Sequence, residues 1–436
     1  MKERVTTFVE EIGQKVIAYR RDFHKYPEVG FTEFRTASKI ARRLTELGFD
    51  VKLGRDVVKS EDRMGLPSEE ELEYHYNRAL EQGADKEFIK PLKDGFTGVV
   101  GTLNLGNGPV VALRFDIDAL KVNEHSGEEH FPTKLGFSSI NKGVMHACGH
   151  DCHAAIGIGV AEVLAHFKEE IEGPGKIKLI FQPAEEGVRG AKAIVGAGIL
   201  DDVDYVIGGH MMAMKSGILI CGENGFMATT KFDISYKGLS SHAGGAPNEG
   251  KNAMLAACTA VLNLNSISRH KEGASRINVG TLVSGTDRNV IPEDSLMKVE
   301  IRGETNEINE YLEEYALRII ENSAKMHNVD YNVRYMGAAP SGVCSDELVN
   351  RVKKIGNELG CFDKIIETSE GASGSEDYVY MMNKVQKHGG KGVYFIVGTD
   401  SKAGHHNSLF DVKEDDLIKA VNTYVLLVLD IIKKPY

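Results

Sequence analysis

The sequence predicts an α/β protein built from two domains, one of which is inserted into the other. Three observations lead to this prediction. Short β-branched runs alternate with helical patterns over most of the chain, and a stretch near its middle follows the order β-α-β-β-α-β. The chain also has 436 residues, which exceeds what one hydrophobic core usually serves.

Four apolar runs are predicted to be buried strands, at residues 110–115, 177–181, 203–207 and 393–397. The third of these runs is followed by Gly208-Gly209, which we expect to end the strand. Between the first two runs, apolar residues recur at helical spacing from Ile156 to Phe167. Strands that alternate with helices indicate a sheet covered by helices, and binding sites form beyond the strand ends of such a sheet.

The middle of the chain, residues 227–336, has a different pattern. It predicts a strand at 229–236, a helix at 252–267, strands at 276–283 and 296–302, a helix at 307–327 and a strand at 331–335. This is the ferredoxin-like order. We therefore predict a discontinuous domain formed by residues 1–226 and 337–436, interrupted by an α+β domain at 227–336. Helices at 345–359, 378–388 and 414–432 would complete the first domain.

The segment 59–92 is charged and rich in Glu. Tyr74, Tyr76 and Leu80 suggest an amphipathic helix within it. A solvated excursion and a contact with a partner or substrate are both compatible with this pattern.

Composition excludes several classes of protein. The net charge of −11 argues against nucleic-acid binding, which needs basic surfaces for the phosphates. The first 26 residues lack the apolar core of a signal peptide, and the apolar run at 424–432 is too short to cross a membrane. Six scattered cysteines are typical of reduced thiols. We expect a cytoplasmic protein that binds neither nucleic acid nor membrane.

Side chains that commonly bind metals cluster at the ends of the predicted strands. They are Asp116 and Asp118, Cys148 and His150, Glu185 and Glu186, His210, and His405-His406. Each signal alone is weak, because a histidine at a strand end or a pair of glutamates in a turn usually has a structural role. Their convergence at one sheet edge instead predicts a site for Zn²⁺ or Mn²⁺.

The adjacent glutamates indicate the chemistry. A metal-dependent hydrolase needs one carboxylate that holds the metal and a second that takes a proton from the attacking water. Neighbouring positions in an irregular loop can serve these two tasks, and Glu185-Glu186 have this arrangement. The alternative is that both are surface acids.

Seven motifs along the chain resemble those of the M20 family of metallopeptidases and amidohydrolases, in the branch that hydrolyses N-acyl amino acids. They are RRDFHKYPE (20–28), RFDIDAL (114–120), MHACGHD (145–151), FQPAEEG (181–187), HAGGAP (242–247), NVIP (289–292) and GSED (374–377). The resemblance implies a zinc-peptidase-like catalytic domain with a central mixed sheet, and it implies that the inserted domain is a lid and dimerisation domain. One departure is Arg114-Phe115-Asp116, where other members of the family have His-x-Asp.

The resemblance also implies a role for each matching residue. Cys148, His150, Glu186, His210 and His406 match the ligands of two divalent metal ions, Mn²⁺ or Zn²⁺, and Glu185 matches the general base. His406 is preferred to His405 because the family's ligand is followed by Asn. His242 matches an oxyanion-stabilising residue that reaches into the active site of a partner, Asn289 and Arg302 match substrate-binding positions, and Asp116 matches an acid that orients the metal site.

These roles describe an amidohydrolase acting on a small N-acyl amino acid as a homodimer, or as a heterodimer with a related chain. His242, Arg302 and Asp116 also have structural alternatives, namely a polar loop residue, a locally balanced strand charge and a turn cap. Two other functions stay open, a dipeptidase of the same family and a non-catalytic or regulatory subunit.

Overall fold

The structure is a computed structural model that describes residues 1–369 and 374–435. Two compact units are present. The larger contains Met1–Asn224 and the described residues after Gly342 other than 374–376, and the smaller contains Gly225–Gly342 together with 374–376. The expected domain boundaries, 226/227 and 336/337, lie two and six residues from these positions.

The strands and helices are as follows. The strands are β1 (Asp50–Leu53), β2 (Val99–Asn104), β3 (Val110–Asp116), β4 (Lys176–Gln182), β5 (Tyr205–Ala213), β6 (Ile218–Glu223), β7 (Ala228–Lys237), β8 (Ser275–Ser284), β9 (Asp294–Gly303), β10 (Asp330–Ala339), β11 (Lys364–Ser369) and β12 (Lys391–Thr399). The α-helices are α1 (Lys2–Glu11), α2 (Gly13–Lys25), α3 (Phe34–Glu46), α4 (Glu69–Glu81), α5 (Phe131–Lys134), α6 (His150–His166), α7 (Ala191–Gly196), α8 (Ala253–Ser266), α9 (Asn306–His327), α10 (Asp346–Leu359), α11 (Tyr378–Lys387) and α12 (Asp415–Lys433).

The larger unit is built on a mixed eight-stranded sheet, in the order β1-β2-β4-β3-β5-β12-β6-β11. Its four central strands, β4, β3, β5 and β12, are parallel. Because parallel strands share the direction of their carboxyl ends, the residues that follow all four come to one edge of the sheet. The predicted central mixed sheet is confirmed.

Helix α6 carries the first site residues and is buried along nearly its whole length. Gly149 precedes it with a φ of 92°, a conformation that favours glycine. A Cβ atom at Gly157 would lie 2.6 Å from the ring of Phe181 and 2.8 Å from that of Phe115, so glycine lets the helix approach the sheet closely. This packing fixes the position of the first turn of α6 relative to the ends of the strands.

One strand prediction was wrong in its extent. β5 does not end at Gly208-Gly209 but continues to Ala213, and His210 therefore lies within the strand. Both glycines stay in register with β12, opposite Tyr394 and Phe395. A Cβ atom at Gly208 would lie 2.7 Å from the Tyr394 ring, so these glycines permit close packing and do not make a turn.

The smaller unit has the ferredoxin-like arrangement that the sequence predicts. Its strands pair antiparallel in the order β10-β7-β9-β8, and α8 and α9 pack against this sheet. The Asn252 side chain caps α8 by accepting a hydrogen bond from the backbone N–H of Leu255, and Thr305 caps α9 in the same way. Its core includes Phe232, Tyr236, Met297 and Leu312.

The charged segment near residues 59–92 contains the expected helix, α4. Ser68 and Glu71 form a reciprocal capping box at its start. The chain begins with two helices, α1 and α2. No helix among the described residues is both long and apolar enough to cross a membrane.

Candidate metal centre

The predicted ligands of the larger unit meet at the carboxyl edge of its sheet. Cys148 and His150 stand at the start of α6, Glu186 lies in the loop after β4, His210 in β5 and His406 in the loop after β12. The Cys148 Sγ atom lies 3.6 Å from His210 Nε2, and His406 Nε2 lies 3.5 Å from Glu186 Oε1. His150 Nε2 lies 4.0 Å from the same Glu186 oxygen.

These separations suit ligands that share a cation. Bond lengths of about 2.3 Å to sulfur and about 2.1 Å to nitrogen, at a tetrahedral angle, place the two ligand atoms about 3.6 Å apart. Cys148 belongs to two groups whose ligand atoms lie within 4.8 Å of one another, one with His150 and Glu186 and one with His210 and His405. The thiol is therefore positioned between two candidate cation positions.

Hydrogen bonds orient the imidazoles toward this space. His210 Nδ1 donates to the Met211 carbonyl at 2.8 Å, and His150 Nδ1 donates to the Asp118 carbonyl at 2.9 Å. A neutral imidazole that donates through Nδ1 has its lone pair on Nε2. His150 Nε2 and Glu186 Oε1 are buried and have no hydrogen-bond partner among the described residues. A bound cation would satisfy these two buried polar atoms.

Two further histidines near the site use their Nε2 lone pairs to accept hydrogen bonds from the backbone. His153 Nε2 accepts a hydrogen bond from the Met211 backbone N–H at 2.9 Å, and His153 Nδ1 donates to Asp116. His405 Nε2 accepts from the Ala213 backbone N–H at 3.0 Å, which leaves the proton on Nδ1. Neither neutral imidazole therefore offers a lone pair to a metal. This geometry gives a physical reason to prefer His406.

The backbone also brings His406 to the site. Its N–H donates to the Ala147 carbonyl at 2.7 Å, next to Cys148, and its φ of 63° is unusual for a residue with a side chain. The His406 side chain is 55% exposed, so this ligand position faces the open side of the site.

Asp116 lies beneath the ligands at the end of β3. It accepts hydrogen bonds from His153 Nδ1 and from Arg114 Nη1, the latter at 2.6 Å. Burial opposes its ionisation, but the positive charge of its surroundings, including the Arg114 guanidinium, outweighs burial and holds the pKa of Asp116 well below its usual range. Asp116 thus favours its anionic form and holds the His153 ring by a hydrogen bond.

Asp118 holds the loop that carries both glutamates. Its Oδ1 accepts the backbone N–H of Glu185 and its Oδ2 accepts that of Glu186, each at 3.0 Å. The Glu185 carboxylate then lies 3.9 Å from His150 Nε2. The two neighbouring carboxylates therefore reach the same space from a loop whose backbone is fixed.

The protein environment disfavours the anionic forms of Cys148 and Glu186. Burial raises the pKa of the Cys148 thiol and raises the pKa of Glu186 to about 7. Burial also lowers the pKa of His210, which favours the neutral form that binds metals. A site that penalises its own anions while holding them together is complementary to bound cations.

Three predicted site residues lie in the smaller unit. His242 is exposed, and its Nδ1 accepts the backbone N–H groups of Gly244 and Gly245 at 3.1 and 2.9 Å, so Nε2 carries the proton. Asn289 is exposed and adjacent, since its carbonyl accepts the Ala243 N–H at 2.9 Å.

Arg302 lies on β9, where it pairs with Glu300. The Nε and Nη2 atoms of Arg302 each lie 3.0 Å from one Glu300 carboxylate oxygen. Glu300 therefore balances the charge of Arg302 locally, which is the structural alternative for this residue. A substrate carboxylate would have to compete with Glu300 for the Arg302 guanidinium.

Several features of the site were not anticipated. Asp118 was predicted as a possible metal-binding side chain, but its hold on the Glu185-Glu186 backbone was not foreseen, and no role was predicted for Glu33 or His153. Asp118 belongs to the motif at 114–120, which was the available signal. Glu33 carries no local signal, because its contacts are with distant parts of the chain.

Comparison with known proteins identifies relatives along the whole chain. A model of peptidase family M20/M25/M40 matches residues 112–430. The indole-3-acetyl-aspartic acid hydrolase of Enterobacter agglomerans is 45% identical over 425 residues, which are 97% of each chain. One subunit of the p-aminobenzoyl-glutamate hydrolase of Escherichia coli K12 is 46% identical over 423 residues, again 97% of each.

Solved structures also resemble this chain over nearly its whole length. The aminobenzoyl-glutamate utilization protein of Klebsiella pneumoniae aligns with a TM-score of 0.85 at 39% identity and covers 97% of each chain. A dinuclear metal-binding peptidase of the M20 family from Bacillus subtilis aligns with a TM-score of 0.66 at 25% identity, over 98% of this chain and 99% of its own.

Proposed function

This chain belongs to peptidase family M20/M25/M40, and we propose that it is a binuclear metal-dependent amidohydrolase that cleaves the amide bond of N-acyl amino acids. One observation carries the proposal. Five side chains of metal-binding type converge at one sheet edge, beside a further carboxylate, Glu185, that can act as a base.

Cys148, His150, Glu186, His210 and His406 would hold two divalent metal ions, Mn²⁺ or Zn²⁺. A thiolate favours zinc on softness, but we rank manganese slightly ahead, as the sequence resemblance implies. When bound, such ions polarise the amide carbonyl and lower the pKa of water from about 15.7 towards roughly 7.

Glu185 supplies the proton transfers. Its carboxylate lies 3.9 Å from His150 Nε2, at the edge of the ligand group, and its backbone is fixed by Asp118. It takes a proton from the attacking water and later delivers a proton to the leaving amine nitrogen. His242, whose protonated Nε2 is available to donate away from its own loop, would stabilise the oxyanion in the active site of a partner.

For the substrate we propose p-aminobenzoyl-glutamate or indoleacetyl-aspartate, the types named for the two relatives. Asn289 and Arg302 would bind the substrate's carbonyl and carboxylate, with Arg302 exchanging Glu300 for the substrate. All six cysteines are free, which suits a reducing compartment, and we place the protein in the cytoplasm.

We further propose a dimer through the smaller unit, with a second copy or with a related chain. Strand β8 is an edge of its sheet and leaves one row of backbone groups available for pairing. Val283 on this strand is 69% exposed, and Leu262 on α8 is 74% exposed. Exposed apolar side chains beside an open strand edge support an interface.

Activity assays on the purified chain, supplied with Mn²⁺ or Zn²⁺, test this function. The substrates are p-aminobenzoyl-glutamate, indoleacetyl-aspartate and hippurate, and a dipeptide with a free α-amine tests for a dipeptidase. We expect hydrolysis of the acylated substrates, and in E185Q we expect unchanged metal content with kcat reduced at least about 100-fold. An inactive wild-type chain would favour a regulatory role, and an active E185Q would remove Glu185 from its role.

A further inference from the structure

The loop between β4 and α7, residues 183–190, has an unusual backbone. Ala184 and Val188 have φ values of 52° and 60°, and Gly187 between them has a φ of 88°. Residues other than glycine in this region cost about 1 kcal/mol or more each unless surrounding contacts hold them. Glu185 and Glu186 follow Ala184 directly, so the shape of this loop sets where both carboxylates point.

Three carboxylates from separate segments hold this backbone. Asp118 accepts the N–H groups of Glu185 and Glu186, both at 3.0 Å. Asp377 accepts those of Gly190 and Ala191, at 3.0 and 2.9 Å. Glu33 accepts that of Ala184 at 2.8 Å. Carboxylates thus accept hydrogen bonds from four backbone N–H groups of this loop and from the first N–H of α7.

Glu33 is the anchor at the strained start of the loop. It is fully buried, and its second oxygen lies 2.6 Å from the Thr97 hydroxyl, which donates to it. Thr97 is also fully buried, just before β2. Both Glu33 oxygens are therefore held by hydrogen bonds, which link the start of β2 to the Ala184 backbone.

We propose that Glu33, held by Thr97, is a positioning residue that sets the orientation of the catalytic Glu185 through the Ala184 backbone. This inference rests on the proposed function. The Glu33 oxygens are engaged by the Ala184 N–H and the Thr97 hydroxyl, so its effect on the loop passes through one backbone N–H. A shift of about 1 Å in a reacting group is enough to reduce a rate about 100-fold.

Glutamine is the conservative variant at this position. Its carbonyl can accept the Ala184 N–H, and its amide can donate to the Thr97 oxygen. Burial and the charge of Asp118 raise the pKa of Glu33 to about 8, so a neutral amide also resembles the protonated carboxyl near pH 7. Alanine at position 33 removes both contacts.

Glu28 offers a matched control. It is also a fully buried carboxylate, and its oxygens accept the backbone N–H groups of Arg35 and Thr36 at 3.0 and 2.9 Å. It thus holds the start of α3 and not the loop after β4. E28A should lower stability without a selective effect on kcat.

The experiment measures kcat, KM, bound metal and melting temperature for E33A, E33Q, T97V, E28A and E185Q, with Mn²⁺ and p-aminobenzoyl-glutamate. We expect E33A to reduce kcat at least about 10-fold with KM and metal content unchanged, and E33Q to stay within about twofold of wild type. T97V keeps Glu33 and removes one hydrogen bond to it, so it should reduce kcat about threefold. This variant provides the test if E33A does not fold.

The outcomes separate this inference from the proposed function. Wild-type kcat in E33A, or in T97V where E33A is unfolded, overturns the inference, as does an E33Q kcat as low as that of E33A. An equal loss of kcat in E28A and E33A also overturns it, because the effect would then follow general destabilisation. Activity in E185Q would instead overturn the proposed base, whatever the Glu33 variants do.

Discussion

Arg114 lies at the centre of a group of buried polar side chains beneath the candidate metal site. Its guanidinium is completely buried and donates to Gln182 at 2.7 Å, to Asp116 at 2.6 Å and to Asp377 at 3.2 Å. Both carboxylates are buried as well. In the R114M variant, two buried carboxylates lose this guanidinium at once.

The size of the effect follows from burial. Removing one partner of a buried ion pair costs about 3–5 kcal/mol, because the remaining charge is left uncompensated. Since Asp116 and Asp377 both pair with Arg114, we expect R114M to lower the free energy of unfolding by about 4 kcal/mol or more. R114K keeps the charge but loses the fork geometry, and it should fall between wild type and R114M.

Lys353 and Glu367 provide the matched control. Their charged atoms are also 2.6 Å apart, but the side chains are 44% and 56% exposed. K353M should therefore leave the denaturant midpoint unchanged. Urea unfolding of the apo forms at pH 7 measures all three variants. A loss of less than about 1 kcal/mol in R114M, or equal losses in R114M and K353M, would refute the reasoning from burial.

Burial disfavours charged His24, but its contacts with Asp151 and Glu124 outweigh burial and raise its pKa to about 9, from 6.5 when unfolded. The charge of His24 stabilises the fold fully below pH 6.5, and this stabilisation is lost as the pH rises through about 9. The destabilisation caused by H24N, measured by urea unfolding, should therefore shrink by about 2 kcal/mol between pH 7 and 9.5. A difference in unfolding free energy between wild type and H24N that does not change with pH would contradict this. V283E should convert the proposed dimer to a folded monomer in light scattering, and an unchanged mass would exclude the β8 interface.

The central strands and the ferredoxin-like unit could be predicted from the sequence because their apolar patterns are local. Strands β1, β2, β6 and β11 were missed. Neither β1 nor β11 contains a fully buried residue, and edge strands lack a strong apolar signal. Strands β2 and β6 are largely buried but only six residues long, and each contains a glycine. β5 was predicted too short because its glycines are typical of a turn, whereas their reason is the neighbouring ring of Tyr394. Such a reason is visible only in three dimensions.

The ligand types and their meeting at one sheet edge were also predictable, since strand ends and motifs are local features. The roles of individual residues came from the family resemblance and stay predictions. The structure adds physical reasons that no local pattern contains. For example, the Ala213 N–H donates a hydrogen bond to His405 Nε2. Carboxylates distant in sequence accept hydrogen bonds from the backbone of the loop that carries Glu185.

The central claim is that five side chains bind two cations while Glu185 stays outside the coordination. Anomalous diffraction from crystals grown with Mn²⁺ tests it most directly. We expect two anomalous peaks, with Cys148, His150, Glu186, His210 and His406 each within about 2–2.5 Å of a cation and the Glu185 oxygens beyond that distance. A cation bound by His153, His405 or Glu185 in place of these residues would contradict the account.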